Sequence, residues 1–396
     1  MNSMKKIILF IQSVFAVLVI NLLFSHISVA KTVTEKILWK AGEGNYKGYR
    51  IPSILVSSKG QILAFAEGRN DGGDSGDIDI VLKRSKDNGR TWSGETTIWN
   101  DSLNTCGNPC PVLDRQTGRI WLFMTWNLGS DHENEIIHKT SKSSRIPYVC
   151  YSDDEGQSWS KPEALTGTCK DPAWGWYATG PGTGIQLKNG EFKGRLVIPA
   201  NHSYDDPNGK VRKGPYNYGA HVLMSDDHGK TWRLSAPIRP GCNESQVAEL
   251  TDGTLLMNMR SYNGKSSRAI SISRDGGETW SPISHDYQLV ESMCQAGFIN
   301  YGYYRGKELF LFSNPAVPTG RTHMTLKISM DNCQTWAASR LIYAGPSGYS
   351  CMARLPNNQV GLLFEKGVKS PYETISFLKT DLKRLFESID IQIINN

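Results

Sequence analysis

The sequence predicts an all-β fold, a six-bladed β-propeller, on three observations. An eight-residue cassette recurs five times, each copy follows a run with strand character, and nowhere is there a long amphipathic helical period. Self-similarity at such intervals marks a repeat architecture, whose units bury their apolar faces against their neighbours.

The cassettes are Ser85-Lys-Asp87-Asn-Gly89-Arg-Thr91-Trp92, Ser152 to Trp159, Ser225 to Trp232, Ser273 to Trp280 and Ser329 to Trp336. All fit Ser-x-Asp-x-Gly-x-Thr/Ser-Trp except the last, where Cys333 replaces the glycine. The pattern is that of a hairpin turn. Asp bonds downstream amides, Gly supplies a positive φ, the hydroxyl residue closes the loop and Trp plugs the apolar gap beneath. At the fifth copy Cys333 implies a turn that either avoids the left-handed region or is slightly strained.

The strands follow in order from β-branched and aromatic runs: 62–66, 78–83, 120–125, 147–151, 196–199, 220–224, 254–259, 269–272, 309–312, 324–328, 360–364 and 375–378. The cassette spacings of 67, 73, 48 and 56 residues suit one four-stranded sheet plus loops. The length after residue 30, divided by an average of about 60, gives six such sheets. An open sandwich or solenoid is the competing architecture, but a sandwich of this length would split into domains, and no linker divides residues 31–396.

Residues 1–30 read as an export signal: Lys5 and Lys6 precede an apolar run to Phe24, and Ser28-Val29-Ala30 offers a cleavage site. An uncleaved anchor is the alternative, though Gln12, Ser13 and Asn21 interrupt the run. The expectation is an exported chain, periplasmic or secreted, with no stable membrane insertion after cleavage. Without the signal the chain carries 42 basic and 38 acidic side chains, a net +4. That balance suits an anionic ligand and lacks the clustered Lys and Arg of a nucleic-acid binder. Eight cysteines in an oxidising compartment leave disulfides possible, yet no CxxC pair or nearby histidine completes a zinc site around Cys106 and Cys110.

The cassettes together with Tyr49-Arg50-Ile51-Pro52, close to a Phe-Arg-Ile-Pro signature, resemble the bacterial and animal exo-sialidases with Asp-box repeats, whose fold is a six-bladed propeller. The similarity spans nearly the whole chain after the signal. Asp-boxes alone would say little about function, because non-enzymatic propellers carry them too; the site motifs in the family's order say more. The resemblance implies an exo-α-sialidase that removes terminal sialic acid from glycans, glycoproteins or glycolipids with retention through a tyrosyl intermediate, without metal or other cofactor.

By that resemblance three arginines grip the sugar's carboxylate: Arg50, Arg260 in Leu255-Leu-Met-Asn-Met-Arg260-Ser261, and Arg321 after Gly320. Arginine suits the task because its planar fork donates paired hydrogen bonds and keeps its charge. Pro52 restricts the backbone and pushes Ile51 towards an extended conformation, which would aim Arg50. Glu365, in Leu362-Leu-Phe-Glu365-Lys, resembles the carboxylate that braces this arginine, and Arg69, ending Glu67-Gly68-Arg69, is a further substrate-binding candidate.

The family's catalytic aspartate lies ten residues before the second basic residue preceding the first cassette, which lands on Asp74. Working as an acid at neutral pH requires a raised pKa. Asp71, Asp77 and Asp79 are loop and strand-end residues on this reading; a calcium loop competes, but the spacing fits no EF-hand. Tyr349, in Ala344-Gly-Pro-Ser-Gly-Tyr349-Ser350, matches the nucleophile, and Glu244 its partner base, with Glu249 the nearest alternative. A neutral phenol meets less repulsion than a carboxylate would at a carbon bearing its own carboxylate, and it needs an adjacent base.

A second Arg-Ile-Pro, Arg145-Ile146-Pro147, lacks the flanks of the first and reads as strand-edge structure. Trp174, Trp176 and Tyr177 suit pocket lining and core equally. Two other functions stay open: a transferase or intramolecular trans-sialidase with the same site, and a non-catalytic sialoglycan-binding propeller, which would be expected to have lost Tyr349, Glu244 or Asp74.

Overall fold

Runs of β-branched and aromatic residues too short for helices become the strands of an all-β body in the computed structural model, which describes residues 34–386. The export signal and its alternative, a membrane anchor, fall on residues outside the described ones. Among the described residues no helix is long and apolar enough to cross a membrane.

Among the described residues twenty-four strands form four sheets, antiparallel but for one bridge. The first joins β2 (Gly48–Val56), β3 (Ile62–Arg69), β4 (Ile78–Ser85) and β5 (Thr96–Trp99) to β6 (Thr105–Leu113), β7 (Ile120–Asn127), β8 (Ile146–Ser152) and β9 (Glu163–Ala164). The link between its halves is one parallel bridge, Ile78 to Thr105. The second holds β10 (Tyr177–Thr179), β11 (Ile185–Gln186), β12 (Leu196–Asp205), β13 (Tyr216–Ser225) and β14 (Arg233–Leu234). The third is a meander of β15 (Cys242–Glu249), β16 (Leu255–Ser261), β17 (Ser267–Ser273) and β18 (Ser284–Val290).

The fourth runs from β19 (Gly297–Tyr304), β20 (Lys307–Pro315) and β21 (Thr322–Ser329) into the long β22 (Ala338–Leu355), then β23 (Gln359–Lys366) and β24 (Thr374–Asp381). Its far edge is the first strand of the body, β1 (Thr34–Lys40). The start of β22 pairs with β21 and its end with β23, so one strand serves two neighbouring sets.

Each set packs its faces on the next. Phe65 and Leu82 meet Ile120 and Leu122; Trp121 and Phe123 meet Ile198 and Leu223; Val197 and Val222 meet Val247 and Met257. Leu256 meets Phe298 and Phe312, Leu311 and Leu326 meet Leu362 and Phe364, and Leu363 and Phe377 meet Ile54 and Ala64. The last contact returns to the first set. Because both faces of β3 are covered, all eight of its residues are buried, and truncating Phe65 to Ala would cost about 3–5 kcal/mol.

The cassettes form the expected turns. In the first, Asp87 accepts the Thr91 amide at 2.8 Å and its hydroxyl at 2.6 Å, while Ser85 Oγ accepts the Gly89 amide at 2.9 Å. Gly89 has φ +78° and a Cβ there would lie 2.4 Å from the Phe377 ring, so two separate constraints demand glycine. Cys333 adopts φ 63° and donates the same amide bond to Ser329, so the fifth turn keeps its shape and takes the strain. Trp92, Trp159 and Trp232 lie against Phe377, Phe65 and Phe123 of adjacent sets, at 5.0, 5.9 and 4.6 Å. All eight cysteines are unpaired thiols.

Candidate active site

Four strands interrupt their ladders at matching places. Register breaks fall between Arg50 and Ser53 in β2, Gly107 and Cys110 in β6, Cys242 and Ser245 in β15, and Ser347 and Ser350 in β22. A bulge bends its strand and re-aims the extra residue. The residues at these breaks include Arg50, Asn108, Glu244 and Tyr349, and all four line one cavity of about 220 Å³.

The expected extended Ile51 is not what the break contains. Ile51 has φ 59°, a costly conformation for a β-branched residue. Its surroundings impose it: its amide donates to Glu365 Oε1 at 3.0 Å, and its side chain is buried beside Cys294 and Tyr349. Arg50 is therefore aimed by a strained bulge over a buried carboxylate rather than by extended backbone before Pro52.

Glu365 organises this corner. Fully buried, it accepts Arg50 Nε at 2.7 Å and Nη2 at 3.4 Å, the Ile51 amide, and the Tyr349 amide at 2.9 Å. One carboxylate thus fixes the first arginine and the tyrosine together, although Glu365 and Arg50 stand 315 positions apart.

Tyr349 donates its hydroxyl to Glu244 Oε1 at 2.5 Å. Arg260 Nη1 donates to Glu244 Oε2 at 2.8 Å and to the Tyr349 oxygen at 3.3 Å. The guanidinium carbons of Arg50 and Arg321 lie 5.0 and 5.4 Å from the Tyr349 ring centre. Three cations drawn from three parts of the chain therefore surround one phenol.

Burial and then the Glu244 charge push the phenol well above its ordinary pKa, against the pull of Arg260, Arg321 and Arg50. It is neutral at rest and has a carboxylate to receive its proton. Burial opposes the charge on Arg50 and Arg260, but Glu365 beside the first, and Tyr262 and Glu244 beside the second, outweigh it and raise both pKa values.

Asp74 departs from the expected raised pKa. Partial enclosure works upward, but Arg69 Nη1 at 2.7 Å and the more distant Arg50 outweigh it and hold the carboxyl at about 2. At rest this carboxyl is ionised. Asp71 accepts the Asp77 amide, Asp77 accepts Asn70, and Asp79 is tied to Tyr46 and Asn100, so of the four aspartates only Asp74 lines the cavity. Among the described residues no three His, Cys, Asp or Glu side chains cluster to hold a metal ion.

The family model described as BNR repeat-like domain matches residues 60–362. A Bacteroides fragilis protein named sialidase is 32% identical across 83% of this chain and 62% of its own length. An Aspergillus fumigatus exo-alpha-sialidase is 30% identical across 81% of this chain and 79% of its own. The chain belongs to the sialidase family. It spans less than two thirds of the Bacteroides sialidase and 53% of a Micromonospora viridifaciens one. A solved Hadza microbial sialidase superposes with a TM-score of 0.78 at 32% identity, covering 89% of this chain and 69% of that one. A leech intramolecular trans-sialidase superposes at 0.74 with 22% identity, a likeness of fold alone.

In this sialidase-family cavity Arg50, Arg69, Asp74, Glu244, Arg260, Arg321 and Tyr349 are all lining residues, and Glu365 stands directly behind. Glu249 lies elsewhere, accepting the Lys188 and Asn189 amides. Sequence reasoning missed Tyr372, whose ring lies 4.0 Å under Arg50 and whose hydroxyl accepts Arg321 Nη1 at 2.8 Å; nothing in Ser370-Pro371-Tyr372 signals it. It also misread Arg145. That side chain is not strand-edge structure: it is 2% exposed and lines the cavity over Trp176. Trp174 instead stacks on His202 at 3.6 Å, and Tyr177 is buried against His221.

Proposed function

We propose that the protein is an exported exo-α-sialidase that hydrolyses terminal sialic acid from glycoconjugates with retention of configuration. The observation that carries this reading is the Glu244–Tyr349 hydrogen bond beneath Arg50, Arg260 and Arg321. A phenol with an adjacent carboxylate and three surrounding guanidinium groups suits attack on an anomeric carbon that itself bears a carboxylate.

In the first step the three arginines take the sugar's carboxylate, Glu244 takes the phenolic proton, and the Tyr349 oxygen bonds to the anomeric carbon as the glycosidic bond breaks. Asp74, which takes up a proton from solvent as the substrate binds, gives that proton to the departing oxygen. Its low resting pKa is compatible with that role, because a bound carboxylate offsets the charge of Arg50 and the sugar displaces water from the carboxyl, both of which raise it. In the second step Asp74 takes a proton from water, the water oxygen bonds to the anomeric carbon, and the phenol leaves and recovers its proton from Glu244.

The same reading takes the fold as a six-bladed propeller. Six consecutive strand sets, six apolar interfaces and the return of β1 onto β24 support it, and the bulged strands would be the inner ones at the hub. The proposed substrates are sialylated glycans, glycoproteins or glycolipids. Incubation with α2,3- and α2,6-sialyllactose followed by mass analysis should yield free sialic acid and lactose. An anhydro-sugar or a sialylated acceptor would place the protein among the transferases, and absence of turnover would remove the enzymatic reading.

A further inference from the structure

Arg145 has a setting that the reaction just described does not use. Its Nη1 donates to Asn127 Oδ1 at 2.5 Å and its Nη2 to Asn108 Oδ1 at 2.6 Å, while its Nε is buried without a partner. Neither amide is free to turn away. The Asn127 nitrogen is held by the Leu128 and Asp131 carbonyls, and Asn108 Oδ1 also accepts the Thr125 hydroxyl.

Among the described residues no carboxylate forms an ion pair with this guanidinium. Burial lowers its pKa to about 10, and the neighbouring carboxylates of Glu67, Asp74 and Glu133, which work upward, do not offset it. The chain around it is pinned as well. Buried Lys170 donates to the Arg145 carbonyl at 2.6 Å and to the Gly175 carbonyl at 3.0 Å, fixing both Arg145 and the segment that leads into Trp176, whose ring lies 4.2 Å from the guanidinium carbon. A buried cation whose side-chain hydrogen bonds go only to neutral amides is held at a cost that a bound acceptor would reduce.

The shape of the sugar says which group would. In a six-membered ring the atom across from the anomeric carbon C2 is C5. With C2 at Tyr349 and the carboxylate on the three arginines, the C5 substituent points across the cavity, away from that clamp. Arg145 and Asn108 line the same cavity and are not part of the clamp.

We propose that Arg145 is a specificity-determining residue whose guanidinium donates to an acceptor oxygen on the C5 substituent, with Asn108, Asn127 and Lys170 as the residues that position it. This rests on the sialidase reading and adds a second recognition point to it. A guanidinium suits the role because N–H bonds remain after two are committed to the amides, and its plane is already fixed over Trp176.

The test uses two aryl sialosides, one with the ordinary 5-acetamido group and one with hydrogen at C5. The wild-type protein should prefer the first by tenfold or more in kcat/KM. In Arg145→Met the preference should fall to within about twofold, mainly through KM, because a site built to bond a polar group discriminates most strongly against its absence. Arg145→Lys keeps a charge for Asn108 and Asn127 but loses the fork, so it should retain only part of the preference; it carries the comparison if the Met variant does not fold. An unchanged preference in a folded variant overturns the assignment, as does equal loss on both substrates. Failure of the wild type to turn over either sialoside would instead overturn the sialidase reading, and this proposal with it.

Discussion

The cassette turns and the cavity are built by opposite means. In a cassette, Asp87 bonds Thr91 four positions away and Ser85 bonds Gly89 four positions away, so eight letters contain the whole device. In the cavity, Glu365 bonds Arg50 across 315 positions and Tyr349 bonds Glu244 across 105. Each turn lies within a single connection between neighbouring strands, whereas the cavity is assembled where four ladders from different parts of the chain lose register. Local hydrogen bonds repeat faithfully because each copy is solved alone; the site exists only after the sets have closed on one another.

That contrast can be broken first at Tyr349. Tyr349→Phe should lower kcat on sialyllactose by about a thousandfold or more, the scale on which loss of a nucleophile is felt. Chemical denaturation should leave its stability near that of the wild type, because only one hydroxyl is lost. Comparable activity in the two proteins would mean that the Glu244–Tyr349 bond is a packing feature.

Glu365→Gln should damage both properties. A neutral amide leaves Arg50 buried without its counter-charge and cannot accept from the Ile51 and Tyr349 amides and Arg50 in the same way. Breaking such a buried pair costs about 3–5 kcal/mol, read as a lower denaturation midpoint. Turnover should drop with it, since the carboxylate holds both the first arginine and the tyrosine. Full activity in a destabilised protein would separate the brace from the chemistry.

Arg321→Lys is expected to act on binding, raising KM about tenfold or more with a smaller change in kcat, because an ammonium cannot reproduce the fork. Steady-state kinetics on an aryl sialoside would show it, and an unchanged KM would remove Arg321 from the carboxylate clamp.

The smallest effects belong to the cassettes. Asp227→Asn should lower stability by about 1–2 kcal/mol through weakened bonds to Thr231 and leave kcat/KM unchanged. Asp154 and Asp227 are held at about 2: slight burial works against this, but the hydroxyl and amide bonds of Ser158 and Thr231 prevail. Their folded values lie below the unfolded one near 4, so the unfolded chain binds more protons in that window. Their contribution is complete above about pH 4 and is lost as pH falls towards 2. Thermal melts across that range should show a shallower fall in the Asp227 variant; parallel curves would argue against the turn bonds as its source.

How far the letters reach follows the same division. Cassettes and apolar strands were legible because each signal sits within one turn or one strand. β6 and β15 were not, since Thr105–Leu113 and Cys242–Glu249 are polar or proline-containing and bulged, without clean alternation. The arginines, Tyr349, Glu244 and Glu365 were legible only through resemblance, because nothing local to Glu365 announces a partner in β2. Arg50 reaches the cavity by a different route from the one expected: Pro52 stiffens the chain, but Glu365 drives Ile51 into the left-handed region. Arg145 was discarded because its flanks differ from those of Arg50, while its burial depends on Asn108, Asn127 and Trp176 brought in from other strands and loops. The low pKa of Asp74 likewise follows from the placement of Arg69 and Arg50, which its own loop does not disclose.

The central claim is that Tyr349 bonds covalently to the sugar, and a slow substrate tests it most directly. A sialosyl fluoride carrying a second fluorine at C3 supplies a good leaving group and retards the later hydrolysis. Intact-protein and peptide mass spectrometry should find one sugar added on Tyr349, and none on the Tyr349→Phe protein. A sugar carried on Glu244 or Asp74, or release of sialic acid with inverted configuration by proton magnetic resonance, would contradict the account.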